Sequence, residues 1–145
     1  MRVLGIDVGT RRVGLALSDA SATLARPWKT IAAGHSPAES AESVAALLRP
    51  SHDGLESDTS EITSIVVGLP RRLNGEETGQ SKVARDMADA LRQLTGLPVH
   101  LQDERLSSRE AESLLAIREK DWRKRKAKLD AAAAAVILQD YLDRA

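Results

Sequence analysis

Acidic residues at three separate places in the sequence could together carry out chemistry. Asp7 interrupts an aliphatic segment, and a buried carboxylate is costly unless it is paired, hydrogen-bonded or bound to a cation. Asp103 and Glu104 follow a short apolar segment, and Asp130 precedes an alanine-rich one. Oxygen ligands without a cysteine or histidine cluster suit Mg²⁺ or Mn²⁺. Two such ions can activate water and stabilise the leaving oxygen of a phosphodiester, so these positions predict metal-dependent phosphodiester hydrolysis.

Each acidic position also has a structural interpretation. Asp7 could accept hydrogen bonds from the amides of the turn that follows it, as buried polar groups usually do. Asp103 and Glu104 could be a solvated loop pair, and on a strand only one of two adjacent residues faces a given site. Asp130 is predicted to open the last helix, where the helix dipole alone would favour a carboxylate.

Basic residues near the predicted strand ends could bind phosphates, because guanidinium groups form paired hydrogen bonds with them. The longest basic stretch, residues 118–128, has seven Lys or Arg and two acidic residues, a net charge of +5. It is either a solvated helix face or a nucleic-acid contact, and its tryptophan could stack on a base or pack within the protein. The predicted nucleic-acid-binding residues are Arg11, Arg12, Arg71, Arg72, Arg105, Arg109, Trp122, Arg123, Lys124, Arg125 and Lys126.

Composition excludes several other classes of protein. The 145 residues include no cysteine, which rules out disulfides, thiolate zinc sites and cysteine nucleophiles, and aromatic residues make up only 2%, which argues against wide stacking platforms. The 21 basic and 21 acidic residues balance, so any basic surface must be local. No signal peptide or membrane-spanning segment is evident. We expect one domain over residues 1–145, located in the cytoplasm.

The first half of the chain predicts an antiparallel meander followed by a helix. Segments 3–8, 13–18 and 27–31 are rich in aliphatic and β-branched residues and are separated by short turns. Ser36 can cap a helix that continues towards Pro50. Residues 51–61 contain several acidic and almost no apolar side chains, which is typical of a surface loop.

The second half of the chain alternates strands and helices. Segment 62–69 is continuously apolar, as in a strand covered on both faces, and a helix is predicted to end at Gly96 before a strand over residues 98–101. Ser107 or Ser108 could cap a further helix, and the last helix is predicted over residues 129–142. One face of that last helix would carry Asp130, Ala133, Ala134, Ile137 and Tyr141. The pattern predicts an α/β domain with a mixed sheet.

Four motifs in this order resemble the YqgF/RuvX family. They are Gly5–Gly14, Val67–Pro70 with Asn74 and Gly75, Asp103–Ser108, and Leu129–Leu142. The resemblance implies a ribonuclease H-like fold, a five-stranded mixed sheet whose first three strands are antiparallel, with helices on both faces. It also implies that Asp7, Glu104 and Asp130 are the catalytic, metal-binding residues and that Asp103 faces away.

Three functions from two classes follow from these observations. The resemblance favours a Mg²⁺- or Mn²⁺-dependent endonuclease of structured RNA that matures the 5′ end of pre-16S ribosomal RNA. The same chemistry would serve a Holliday junction resolvase, which needs a dimer for two coordinated cuts, whereas the sequence predicts a monomer or weak homodimer. A non-catalytic module that binds RNA or a transcription partner is the alternative from another class. A nucleotide-binding loop like that of actin and sugar kinases would need a second domain, for which the chain has no room.

Overall fold

The computed structural model describes residues 1–48, 62–104 and 122–144, and their strands form one mixed sheet in the order β3-β2-β1-β4-β5. β1 pairs antiparallel with β2 and β2 with β3, whereas β4 runs parallel to both β1 and β5. This topology confirms the predicted ribonuclease H-like α/β arrangement and its antiparallel meander. The elements are β1 (Arg2–Val8), β2 (Arg12–Ser18), β3 (Ala25–Ala32), α1 (Pro37–Leu47), β4 (Ile62–Leu69), α2 (Gly79–Thr95), β5 (Val99–Asp103) and α3 (Trp122–Arg144).

Helices α1 and α2 cover one face of the sheet with large aliphatic side chains. Alternate residues of β1, β2 and β4, such as Ile6, Leu15 and Val67, are fully buried there against Met87 and Leu91 of α2. Local signals fix the helix ends as predicted. The Ser36 side chain accepts a hydrogen bond from the Glu39 amide at the start of α1, and Gly96 ends α2 with a φ of 69°.

Helix α3 covers the opposite face with a mixture of alanine and larger aliphatic side chains. Ala134, Ile137 and Leu138 are buried against Ala16 and Val66, which confirms the predicted apolar face of the helix. Since β4 contributes buried residues to both faces, it is the fully covered strand that the sequence predicts.

The predicted start of the last helix is wrong. Helix α3 already includes Trp122, so Asp130 lies in its third turn and the helix-dipole interpretation of this residue does not apply. The basic segment before Asp130 is rich in Lys and Arg, which are good helix formers, and contains no Gly or Pro that would delay the helix. The predicted acidic loop 51–61 and the helix after Ser107 or Ser108 lie outside the described residues. No helix in the described ranges is long and apolar enough to span a membrane.

Candidate active site

The carboxyl ends of three parallel strands meet at one edge of the sheet, and two of the predicted acidic residues lie there. Asp7 is next to the last residue of β1, and Glu104 follows β5 directly. The Glu104 amide donates a hydrogen bond of 3.3 Å to the Leu69 carbonyl at the end of β4. Gly68 leaves room for the Glu104 carboxylate, because a Cβ at position 68 would lie 2.9 Å from Glu104 Oε2.

Asp7 interacts with both other carboxylates of the predicted set. Burial raises the pKa of Asp7 from 3.8 to about 6, a hydrogen bond with the Glu104 side chain opposes this rise, and the negative charge of Asp130 adds to it. A carboxylate in this environment gains free energy from any cation that neutralises it. The three acidic residues therefore form one electrostatic unit, although they come from β1, the end of β5 and α3.

Asp130 reaches this edge because α3 crosses β2 without a side chain in between. A Cβ at Gly14 would overlap the backbone carbonyl of Asp130, so only glycine permits this approach. The Asp130 side chain accepts a hydrogen bond of 2.6 Å from Arg12 Nε, and the two side chains are 28% and 33% exposed. Asp130 thus carries an arginine as its counter-ion.

The chemistry of the three carboxylates fits a divalent cation, but Asp130 is engaged elsewhere. Carboxylate oxygens suit Mg²⁺ or Mn²⁺, and a cation would neutralise the neighbouring carboxylates of Asp7 and Glu104. In the part of the chain that the structure describes, no three acidic or histidine side chains converge on one ion position. The Asp130 carboxylate is paired instead with Arg12 at the start of β2.

The β1–β2 turn forms a small cavity beside Asp130. The cavity has a volume of about 260 Å³ and is lined by Gly9, Thr10, Arg11, Arg12 and Asp130. The Gly9 amide donates to the Arg12 carbonyl at 2.9 Å and closes the turn. Arg11 is exposed at its surface. Two guanidinium groups next to the carboxylates can bind a phosphate at this position.

Asp103 and Glu104 point to opposite sides of the sheet, as alternation along a strand predicts. Asp103 Oδ1 lies 3.1 Å from Arg71 Nε, an ion pair without hydrogen-bond geometry. Arg71 and Arg72 follow β4, and Arg72 is exposed. Arg105 and Arg109 lie outside the described residues. The first turns of α3 contain five further predicted contacts, namely Trp122, Arg123, Lys124, Arg125 and Lys126.

Two contributions to the site are absent from the sequence predictions. Arg12 was expected only as a phosphate ligand, yet it pairs with Asp130 across 118 positions of the sequence, and no local pattern signals such a pair. Gly14 was not singled out. Its signal is a glycine inside an otherwise aliphatic strand, which marks a close approach of another backbone.

Comparison with known proteins places the whole chain in one family. Residues 1–144 match the family model RuvX, described as "Holliday junction resolvase". A protein of Anaeromyxobacter dehalogenans named "Putative pre-16S rRNA nuclease" is 42% identical over 99% of this chain and 98% of its own length. A protein of the same name from Chloroflexus aurantiacus is 39% identical over 97% of this chain and 86% of its own length.

A solved structure supports the fold. RuvC of Thermus thermophilus superposes with a TM-score of 0.51 at 16% identity, over 99% of this chain and 96% of that one. A second structure, of T. thermophilus RuvC in complex with a Holliday junction substrate, superposes with a TM-score of 0.50 at 17% identity, over 99% of this chain and 95% of that one. At these identities the likeness concerns the fold alone.

Proposed function

Because the chain belongs to the RuvX family, we propose that it is a metal-dependent endonuclease that hydrolyses phosphodiester bonds of structured nucleic acid. The substrate in this proposal is precursor 16S ribosomal RNA, cleaved in the maturation of its 5′ end, since relatives over nearly the full length carry the corresponding name. The observation that carries the proposal is the interaction of Asp7 with both Glu104 and Asp130 at one edge of the sheet.

Asp7, Glu104 and Asp130 are the residues that would hold Mg²⁺ or Mn²⁺. When bound, the metal would supply positive charge for the phosphoryl oxygens and lower the pKa of the attacking water. Asp7 pairs with Gly14 of β2, and the Glu104 amide donates to the Leu69 carbonyl, which fixes both backbones before substrate binds. Asp130 is fixed by the contact of α3 with Gly14.

Arginines on two sides of the carboxylates would orient the substrate backbone. Arg11 and Arg12 line the cavity at the β1–β2 turn, and Arg71 and Arg72 follow β4. Phosphates bound in these two places would flank the phosphodiester at the carboxylates. Such positioning of the reacting group accounts for a large share of the rate in phosphoryl transfer.

The test is a cleavage assay with purified full-length protein, Mn²⁺ and a precursor RNA that spans the 5′ end of 16S ribosomal RNA. Asp7→Asn should lower the cleavage rate by about 10²-fold or more, because a bound metal supplies several kcal/mol of transition-state stabilisation. Asp103→Asn is the matched control, since this neighbouring carboxylate faces the other side of the sheet and pairs with Arg71. Equal rates for Asp7→Asn and wild type would refute the proposal.

Holliday junction resolution is a second candidate, favoured by the family description. A four-way DNA junction in the same assay separates the two substrates, because a resolvase must make two symmetric cuts. Sedimentation of the protein with the junction measures how many copies bind to it, and a single bound copy argues against resolution. RNA binding without metal-dependent cleavage of either substrate would instead indicate a non-catalytic RNA-binding module.

A further inference from the structure

A pocket at the outer edge of β5 lies apart from the carboxylates and has no role in the proposed reaction. Its volume is about 490 Å³, within the range of small-ligand sites. We call it the edge pocket, and its polar and aromatic lining consists of Arg92 from α2, His100 and Gln102 from β5, and Tyr141 and Arg144 from α3. Because residues from both layers of helices meet there, the pocket wraps around the edge of the sheet.

One residue that lines the edge pocket has a buried amide without a partner. Gln102 is only 6% exposed, and among the described residues its Nε2 atom has no hydrogen-bond partner. Unpaired buried donors are rare in folded proteins and call for an explanation. The terminal torsion of a glutamine amide is soft, so rotation about it would direct this donor towards a ligand in the pocket.

The charged groups that line the edge pocket are cationic. Arg92 donates to the Val99 carbonyl at 2.7 Å and to Asp89 Oδ1 at 2.6 Å, which holds its guanidinium in place and leaves other N–H donors for a ligand. Arg144 approaches from the last turn of α3, and no carboxylate is among the described lining residues. This donor set is complementary to a phosphate group.

An aromatic pair forms another part of the edge pocket. The rings of His100 and Tyr141 stack with centroids 5.5 Å apart and an angle of 22° between their planes. Tyr141 is partly buried on the apolar face of α3, while His100 is exposed. A supported ring beside phosphate donors is the arrangement that binds a nucleotide, since the base stacks on the ring and the phosphate meets the cations.

The edge pocket lies within reach of a nucleic-acid strand at the carboxylates. His100 and Gln102 are on the same face of β5 as Glu104, four and two residues before it. At about 3.3 Å per residue, these separations correspond to roughly 13 and 7 Å. A strand that leaves the carboxylates along β5 would therefore bring a neighbouring nucleotide to the pocket.

We propose that the edge pocket binds one nucleotide of the substrate strand, with its phosphate on Arg92, Arg144 and Gln102 and its base on His100. This proposal rests on the proposed nuclease function, because it takes the bound strand to be the substrate. A free mononucleotide offers the same chemistry, and competition with AMP distinguishes it from the substrate strand.

The test measures binding of a short fluorescein-labelled single-stranded RNA to the full chain by fluorescence anisotropy in EDTA, where metal-dependent cleavage does not occur. Arg144→Ala and Gln102→Leu should each weaken binding by about tenfold, the scale of one stacked or phosphate-bound nucleotide. Arg144→Ala should also reduce the slope of log K against log salt by about 0.7, as expected for one lost phosphate contact. Arg26→Ala, the same charge change at the opposite edge of the sheet on β3, is the control and should bind like wild type.

Thermal unfolding checks that Gln102→Leu is folded, and Arg144→Ala at the end of α3 serves as the independent variant. AMP and inorganic phosphate are added as competitors, while the His100 ring is followed by NMR. Unchanged RNA binding in both variants overturns the proposal. If AMP shifts the His100 resonances and RNA binding is unaffected by the variants, the pocket serves a free nucleotide instead. The RNA-binding test of the edge pocket is independent of the nuclease proposal, which is decided by the cleavage rate of Asp7→Asn.

Discussion

The two faces of the sheet are built on opposite principles. The face under α1 and α2 is filled by large aliphatic side chains, and none of its buried residues in the described ranges is charged. The face under α3 has glycine at positions 14 and 68, where Asp130 and Glu104 approach the sheet. Large side chains exclude water from the first face. On the second face, glycines allow a helix backbone and carboxylates to approach the strands.

As a result, one face of the sheet contributes mainly to stability and the other holds the candidate active site, although the same strands form both. Ile6 and Asp7 are adjacent on β1, yet the first is fully buried under α2 and the second meets Glu104. Alternation along each strand therefore assigns neighbouring residues to different tasks. Substitutions under α1 and α2 should therefore lower stability alone, whereas substitutions under α3 should also lower the cleavage rate.

The largest effect should come from Gly14→Ala. The new Cβ would overlap the Asp130 carbonyl, and a backbone atom cannot rotate away, so α3 must shift and carry Asp130 from the site. We expect a loss of about 3 kcal/mol in unfolding free energy from overpacking and about a 10²-fold lower cleavage rate from misplacement of the carboxylate. Urea unfolding and the cleavage assay measure the two effects. A variant with wild-type activity would show that the close contact is unimportant for the site.

On the other face, Leu15→Ala should cost stability alone. Leu15 is fully buried and neighbours Gly14 on β2, so truncation leaves a cavity worth about 3 kcal/mol in unfolding free energy. The cleavage rate per folded molecule should change little, because the carboxylates lie on the other side of the sheet. A loss of activity as large as that of Gly14→Ala would contradict the separation of the two faces.

The sequence predicts the face under α1 and α2 better than the face under α3. Apolar alternation, the Ser36 cap and Gly96 are local signals, and they place the strands and the first helices correctly. Asp7 stands out because a carboxylate inside an aliphatic segment needs a partner. The predicted start of α3 is too late, although the basic segment before Asp130 is rich in good helix formers. Pairing of Arg12 with Asp130 depends on how α3 crosses the sheet, which no local pattern encodes.

Asp7→Asn should stabilise the metal-free protein near neutral pH. The pKa of Asp7 is raised from 3.8 to about 6, so between these values the folded state binds more protons than the unfolded state. Stability of the wild type should therefore fall as pH rises through this window, by about 3 kcal/mol. The neutral asparagine removes this loss. The variant should thus be more stable than wild type by about 3 kcal/mol at high pH in EDTA, and by little near pH 4.

Urea unfolding as a function of pH measures this difference between Asp7→Asn and wild type. Saturating Mg²⁺ should reduce it, because the cation stabilises only the carboxylate form of residue 7. Asp103→Asn is the control in the same experiment, because its carboxylate lies on the opposite side of the sheet and pairs with Arg71. If the stability of the wild type instead rises with pH through the same window, the pKa of Asp7 is not raised in the folded protein.

The smallest effect should come from Arg12→Gln, which removes the counter-ion of Asp130. The pair is partly exposed, so the change in unfolding free energy should be no more than about 1 kcal/mol. Arg12 and a divalent cation compete for the same carboxylate, hence the variant should bind Mn²⁺ more tightly, by about fivefold. Calorimetric titration with Mn²⁺ measures this, with Arg11→Gln as the control that removes an equal charge from the same turn. If both variants tighten Mn²⁺ binding equally, net charge alone is responsible, whereas tightening confined to Arg12→Gln means that Asp130 must exchange an arginine for the metal.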